Sequence, residues 1–261
     1  MTIIKSYLNF LYNSKNQHGV HSPFVFNLVT KCFYDKTIYP EYSILQNYRK
    51  LLLENKDTIE VTDFGAGSMV FKNNTRRIYD IAKTAGISKK RAQLLFKITK
   101  YFQPDTILEI GTSLGLATVA MHLGNPNAKI TTLEGCPNTI VVTKNLFQVS
   151  SFKFQIDNIN FTNTEFSSYL KKVPPLGDRG LIYFDGNHSK QATLDYFNLL
   201  LPTITNETVW IFDDIHWSNE MEEAWKIIKE NPKVTVTIDT FQWGIVFFRQ
   251  EQEKEHFVIR T

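Results

Sequence analysis

The pattern of apolar and polar positions divides this chain near residue 85. Before it, apolar side chains gather in helix-like periodicity: Tyr7, Phe10 and Leu11, then Phe24, Phe26 and Leu28, then Tyr48, Leu51 and Leu52. Ser22 followed by Pro23 supplies a cap and a first-turn proline for the second of these helices. Beyond residue 85 the rhythm changes. Ser88 opens an amphipathic helix that runs to Phe102. Short strand-like runs then alternate with helical stretches: Ile107–Ile110, Lys129–Leu133, a weaker Phe152–Ile156, Leu181–Asp185 and Val209–Asp213. Runs of this kind suit strands buried on both faces of a parallel sheet. Val234–Ile238 and Trp243–Phe248 are separated only by Asp239–Gln242, too few residues for a parallel crossover, so these two pair antiparallel.

These elements predict an α/β chain with two regions. Residues 1–85 form a helical lid or interface segment, and residues 86–261 form the α/β domain. The length of 261 residues and a hydrophobic content of 43% are enough for a substantial core. A net charge of +3, with no long basic run, gives no reason to expect a nucleic-acid partner. The two cysteines, Cys32 and Cys136, argue against a disulfide scaffold and for a reducing compartment. No apolar run reaches ~18 residues and no signal-peptide pattern is present, so the expectation is a cytoplasmic protein without a membrane partner.

The chemistry starts at Ile107-Leu-Glu-Ile-Gly-Thr-Ser-Leu-Gly115. Gly111 and Gly115 let the backbone turn sharply and approach a ligand, and the helix from Leu116 presents free N–H groups to it. The next strand ends in Glu134, about twenty residues further on, where an acid would grip a ribose diol. Together these residues describe a nucleoside site. A dinucleotide fold requires G-x-G-x-x-G; here the middle glycine is missing.

The Glu-x-Gly-x-x-x-Gly pattern resembles the first motif of class I S-adenosylmethionine (AdoMet) methyltransferases. The resemblance implies a Rossmann-like, doubly wound, mostly parallel seven-stranded sheet with an antiparallel C-terminal hairpin strand. It also implies cofactor contacts from Glu109, Gly111, Thr112, Ser113, Gly115, Glu134, Gly135 and Asp185. Asp63-Phe-Gly-Ala-Gly-Ser68 looks like a second such loop. However, its preceding strand is short and no apolar helix follows, so it reads as a glycine loop that covers substrate.

Two later strands end in acids, at Asp185 and at Asp213-Asp214. If these strands are neighbours, about 4.8 Å apart, the carboxylates would crowd together and call for a neutralising partner. Acids at strand ends also often cap the following helix. An oxygen-only cluster suits Mg²⁺. The arrangement resembles the cation-dependent, catechol O-methyltransferase-like branch, which implies Asp185, Asp213 and Asp214 as metal ligands. Asp214 stands where that branch has asparagine, and His188 stands where it has its catalytic lysine. His188 then serves as the base, neutral enough near pH 7 to take a hydroxyl proton, with Asp185 beside it. His216 is a second base or an extra ligand, and Trp217 and Trp243 could wall the substrate pocket.

The expected function is AdoMet-dependent, Mg²⁺-assisted O-methylation of a small hydroxylated molecule by a homodimer. Three alternatives stand beside it. These are a metal-independent AdoMet methyltransferase acting on nitrogen or a macromolecule, an NAD-type oxidoreductase, and an inactive AdoMet-fold binding module.

Overall fold

A computed structural model of the protein describes residues 3–62, 73–149 and 156–261. Three helices open the chain, α1 (Ile3–Asn13), α2 (Pro23–Leu28) and α3 (Glu41–Glu54). A small antiparallel hairpin of β1 (Thr58–Glu60) and β2 (Thr75–Arg77) follows, then α4 (Ile78–Thr84) and α5 (Lys89–Phe102). Strand and helix then alternate through β3 (Thr106–Ile110), α6 (Leu116–Gly124), β4 (Lys129–Glu134), α7 (Pro137–Val149), β5 (Ile159–Asn163) and α8 (Phe166–Leu170). The alternation continues through β6 (Gly180–Phe184), α9 (Lys190–Leu200), β7 (Val209–Asp213) and α10 (Asn219–Glu230). Strands β8 (Val236–Asp239), β9 (Trp243–Phe247) and β10 (Glu255–Val258) finish the chain. Among the described residues the result is a Rossmann-like, mostly parallel mixed sheet of eight strands, where seven were expected.

The chain divides into two compact units, Lys36–Phe166 and Met1–Asp35 with Ser167–Thr261. Residues 36–85 thus go with the first β/α steps, and residues 1–35 with the last ones.

In the unit Lys36–Phe166, β3, β4 and β5 run parallel, with Ile107 opposite Ile130 and Ile130 opposite Ile159. The apolar run of β3 is buried along its length after Thr106, as an unbroken run should be. Ser88 caps α5 by accepting from the Arg91 N–H. α5 packs closely on α6 at Gly124, where a Cβ would come within 2.7 Å of the Phe96 carbonyl and of Thr99.

In the other unit the strand order is β10-β8-β9-β7-β6. β6 and β7 are parallel, and β9 runs antiparallel between β7 and β8. Phe184 and Phe212 stack at 4.1 Å across β6 and β7, over a fully buried Trp210. The Ser22 cap and Pro23 start α2 as the sequence predicts.

Two strands escape the sequence pattern. β5 (Ile-Asn-Phe-Thr-Asn) alternates apolar and polar residues instead of forming a run, and in β10 only Phe257 is buried. The Asp63–Ser68 loop lies outside the described residues, as does almost all of the expected strand Phe152–Ile156. Among the described residues no helix is long and apolar enough to cross a membrane.

Candidate active site

The first group of predicted residues lies in the unit Lys36–Phe166, between β3 and α6. Gly111 (φ 105°), Ser113 (φ 47°) and Gly115 (φ 72°) all adopt left-handed backbone, which bends the strand end into the helix. Gly115 is constrained twice over, because a Cβ there would lie 2.6 Å from Cε2 of Phe147. The N–H groups of Gly111 and Thr112 both donate to the Leu133 carbonyl at 3.0 Å. The Ser113 N–H donates to Glu134 Oε2 and the Cys136 N–H to Glu134 Oε1, each at 2.9 Å. Glu134 is therefore clamped by two backbone donors at the end of β4.

Three residues that sequence reasoning passed over support this loop. The Thr143 hydroxyl donates to the Ser113 carbonyl at 2.7 Å, and the buried Tyr48 hydroxyl donates to the Leu114 carbonyl at 2.9 Å. Asn163 Nδ2 donates to the carbonyls of both Glu134 and Gly135 at 2.8 Å. Tyr48 belongs to a distant helix and reads as an ordinary core residue. No local motif marks it.

Glu109 is fully buried beneath the loop, at 0% exposure. It accepts from the Thr118 hydroxyl at 2.5 Å and lies opposite Thr132, whose hydroxyl is 2.5 Å from that of Thr112. Burial pushes its pKa up to about 8, against hydrogen bonds from Thr118 and Thr132 and with a push from the Glu134 charge. At neutral pH it is mostly a protonated acid. The end of β1 is tied to this same region. Asn138 Nδ2 donates to the Glu60 carbonyl at 2.9 Å, and the Thr62 N–H points at Cys136 Sγ at 3.3 Å.

The second group lies in the other unit, at the carboxyl ends of β6 and β7. Phe184 pairs with Phe212, so Asp185 and Asp213 follow on adjacent strands. Asp213 is 3% exposed. Its Oδ1 accepts from the Asp214 N–H at 2.8 Å, and its Oδ2 from the Tyr183 hydroxyl at 3.1 Å. Tyr183 is itself buried against Trp243, which makes Trp243 a core residue and not a pocket wall. His188 Nε2 is 3.6 Å from Asp185 Oδ1, with the two side chains 26% and 18% exposed.

These charges set one another. Burial raises the Asp185 pKa well above the usual carboxylate range, and the Asp213 charge raises it further, while His188 opposes both. For His188 burial alone would lower the pKa, but the hydrogen bond and charge of Asp185, with the charges of Asp213 and Asp214, push it up to about 9. His188 is thus mostly an imidazolium at pH 7, not the largely neutral base expected from an unperturbed histidine. His216 is also placed differently from expectation. Its Nδ1 lies 3.0 Å from Glu222 and its Nε2 2.9 Å from Asp239, so neither ring nitrogen is available as a base or a metal ligand.

The donor set does not fit Mg²⁺, which demands near-octahedral oxygen coordination. Asp185 and Asp213 come together, with one Asp213 oxygen accepting from the Tyr183 hydroxyl and the other from the Asp214 N–H. Among the described residues no three His, Cys, Asp or Glu side chains gather as a cation site. The positive charge facing the pair comes from His188.

The fold, the glycine loop and the acid at the end of β4 are those the class I methyltransferase resemblance implies. Residues 108–215 match the model of a family described as a methyltransferase domain, and the chain is an AdoMet-dependent methyltransferase. Solved structures share the fold at low identity. SAH-bound PaMTH1, a methyltransferase of Podospora anserina, is 15% identical with a TM-score of 0.58, over 89% of this chain and 98% of its own. An O-methyltransferase of Bacillus cereus in complex with SAH is 16% identical with a TM-score of 0.52, over 82% of this chain and 92% of its own. TomG, an O-methyltransferase of Streptomyces achromogenes involved in tomaymycin synthesis and solved with SAM, is 11% identical with a TM-score of 0.54. That match covers 82% of this chain and 91% of its own. No functionally curated protein matches the sequence.

Proposed function

We propose that the protein transfers a methyl group from AdoMet to a hydroxyl oxygen of a small molecule. The observation that carries this reading is the clamped Glu134 beside the left-handed loop Gly111–Gly115. Two backbone donors fix the carboxylate, and its remaining lone pairs suit the two hydroxyls of a ribose. Glu109, neutral and buried, supports the loop through Thr118 and Thr132. A dinucleotide is disfavoured because Ser113 stands where the middle glycine would let a pyrophosphate approach the backbone.

AdoMet, when bound, supplies an electrophilic methyl on a sulfonium. The chain has to supply a proton acceptor and exact alignment of the acceptor oxygen. A hydroxyl is a poor nucleophile until its proton leaves, and Asp185 with His188 offers a place for that proton. An amine needs this help less, which favours oxygen over nitrogen. Asp213, fixed by Tyr183 and the Asp214 N–H, holds negative charge next to Asp185 and sustains the basicity of His188. No step is routed through a cation. The O-methyltransferases named above support the same acceptor atom.

The test is formation of S-adenosylhomocysteine when the protein is incubated with AdoMet and a panel of catechols, phenols and sugars, read by mass spectrometry. Methylated hydroxyl product is the expected result. Methylation confined to amines or macromolecules would replace this reading with the nitrogen alternative.

A further inference from the structure

His216 was expected to do chemistry, and its surroundings assign it another task. Its two ring nitrogens are bracketed by Glu222 at the start of α10 and Asp239 at the end of β8. Asp239 also accepts the N–H of Phe241 at 2.7 Å through Oδ1. Phe241 has φ 74°, a left-handed conformation that is costly for an aromatic residue and persists only where its neighbours enforce it. Its ring stacks on His216, with centroids 5.2 Å apart and planes 15° from parallel. Beyond it, the ring meets two residues of α1, Tyr7 at 4.8 Å and Phe10 at 5.5 Å. A strained turn thus joins the N-terminal helix to an imidazole that is held on both sides.

His216 sits within the tight turn that follows β7. The Trp217 N–H donates to the Asp214 carbonyl at 2.9 Å, and Asp214 has φ 52°. The Asp214 N–H in turn fixes Asp213. A change in the seat of His216 therefore moves the peptide that orients Asp213.

We propose that His216 is a positioning residue through which the seating of α1 on Phe241 sets the Asp213–Asp214 turn for reaction. This rests on the methyltransferase reading for its consequence in turnover, but the mechanical link can be measured without turnover. The experiment uses the full chain and a variant on α1 alone, Tyr7→Ala, which leaves every charge in place. Hydrogen exchange is followed at residues 213–217, alongside kcat, acceptor KM and S-adenosylhomocysteine affinity. The expected result is exchange at residues 213–217 at least about tenfold faster, kcat down about fivefold or more, and S-adenosylhomocysteine affinity within twofold of the parent. Phe241→Gly, which suits the left-handed backbone but removes the ring, should reproduce these changes without lowering the melting temperature. Exchange that rises only in α1, with residues 213–217 unchanged in both variants, overturns the proposal. If the parent chain binds no S-adenosylhomocysteine, the methyltransferase reading falls instead, and the exchange result alone decides the link.

Discussion

The two groups of functional residues hold negative charge in different ways. At the end of β4, Glu134 is fixed by the N–H groups of Ser113 and Cys136, neutral donors that belong to the backbone and do not titrate. At the ends of β6 and β7, Asp185 faces His188, a group whose charge depends on pH. Under the proposed function the first arrangement binds the cofactor, and the second exchanges a proton. The difference separates binding from chemistry, and substitutions can break the comparison at either end.

The largest effects should come from the two acids, and they should not resemble each other. Glu134→Ala removes two charge-assisted hydrogen bonds and the proposed ribose acceptor, and should weaken S-adenosylhomocysteine binding by about 3 kcal/mol, roughly 100-fold, in a calorimetric titration. Asp185→Asn should leave that affinity within about threefold while lowering kcat about 100-fold. Equal losses of affinity in both variants would erase the division.

Next in size is the pH profile. The base form of His188 appears only as pH rises through about 9, so kcat/KM should climb with pH up to that region. In Asp185→Asn the residual activity should climb at lower pH, because the largest raising influence on His188 is gone. A profile that is flat from pH 6 to 9 would remove His188 from the mechanism.

Smaller effects concern stability. Gly115→Ala combines a left-handed φ with a Cβ 2.6 Å from Phe147, and should cost about 2 kcal/mol, seen as a lower melting temperature. Glu109 makes stability depend on pH. Folded, it keeps its proton up to about pH 8, whereas an exposed glutamate releases it near 4.5. Between these values the unfolded chain binds fewer protons, so stability is full below pH 4.5 and falls as pH rises towards 8. Glu109→Gln should flatten that slope in denaturant titrations across the window. The smallest effect expected is that of a chelator: excess EDTA should change kcat by less than about twofold.

Much of this arrangement was legible in the chain because the informative segments are local. The run Ile107–Ile110, the glycines at 111 and 115 and the acid at 134 fall within a single β/α/β step, so spacing alone assembles them. Asp185 and Asp213 were placed at strand ends by their apolar runs, while the pairing of those strands is seen only in the fold. Less visible were contacts made by residues far apart in sequence. Tyr48 reaches Leu114 and Tyr183 reaches Asp213 as aromatic core residues with one polar atom, and nothing in their neighbours marks that atom. The charge of His188 was misjudged for a related reason, since it is set by Asp213 and Asp214 across strands as well as by Asp185 three residues away. β5 was missed because its polar positions interrupt the run on which the strand reading depended.

Calorimetric titration with S-adenosylhomocysteine, applied to the parent chain, Asp185→Asn and Glu134→Ala, tests the central claim most directly. The account predicts micromolar binding by the first two and binding weakened about 100-fold in the third. Absence of binding by the parent chain, or full affinity in Glu134→Ala, would contradict it.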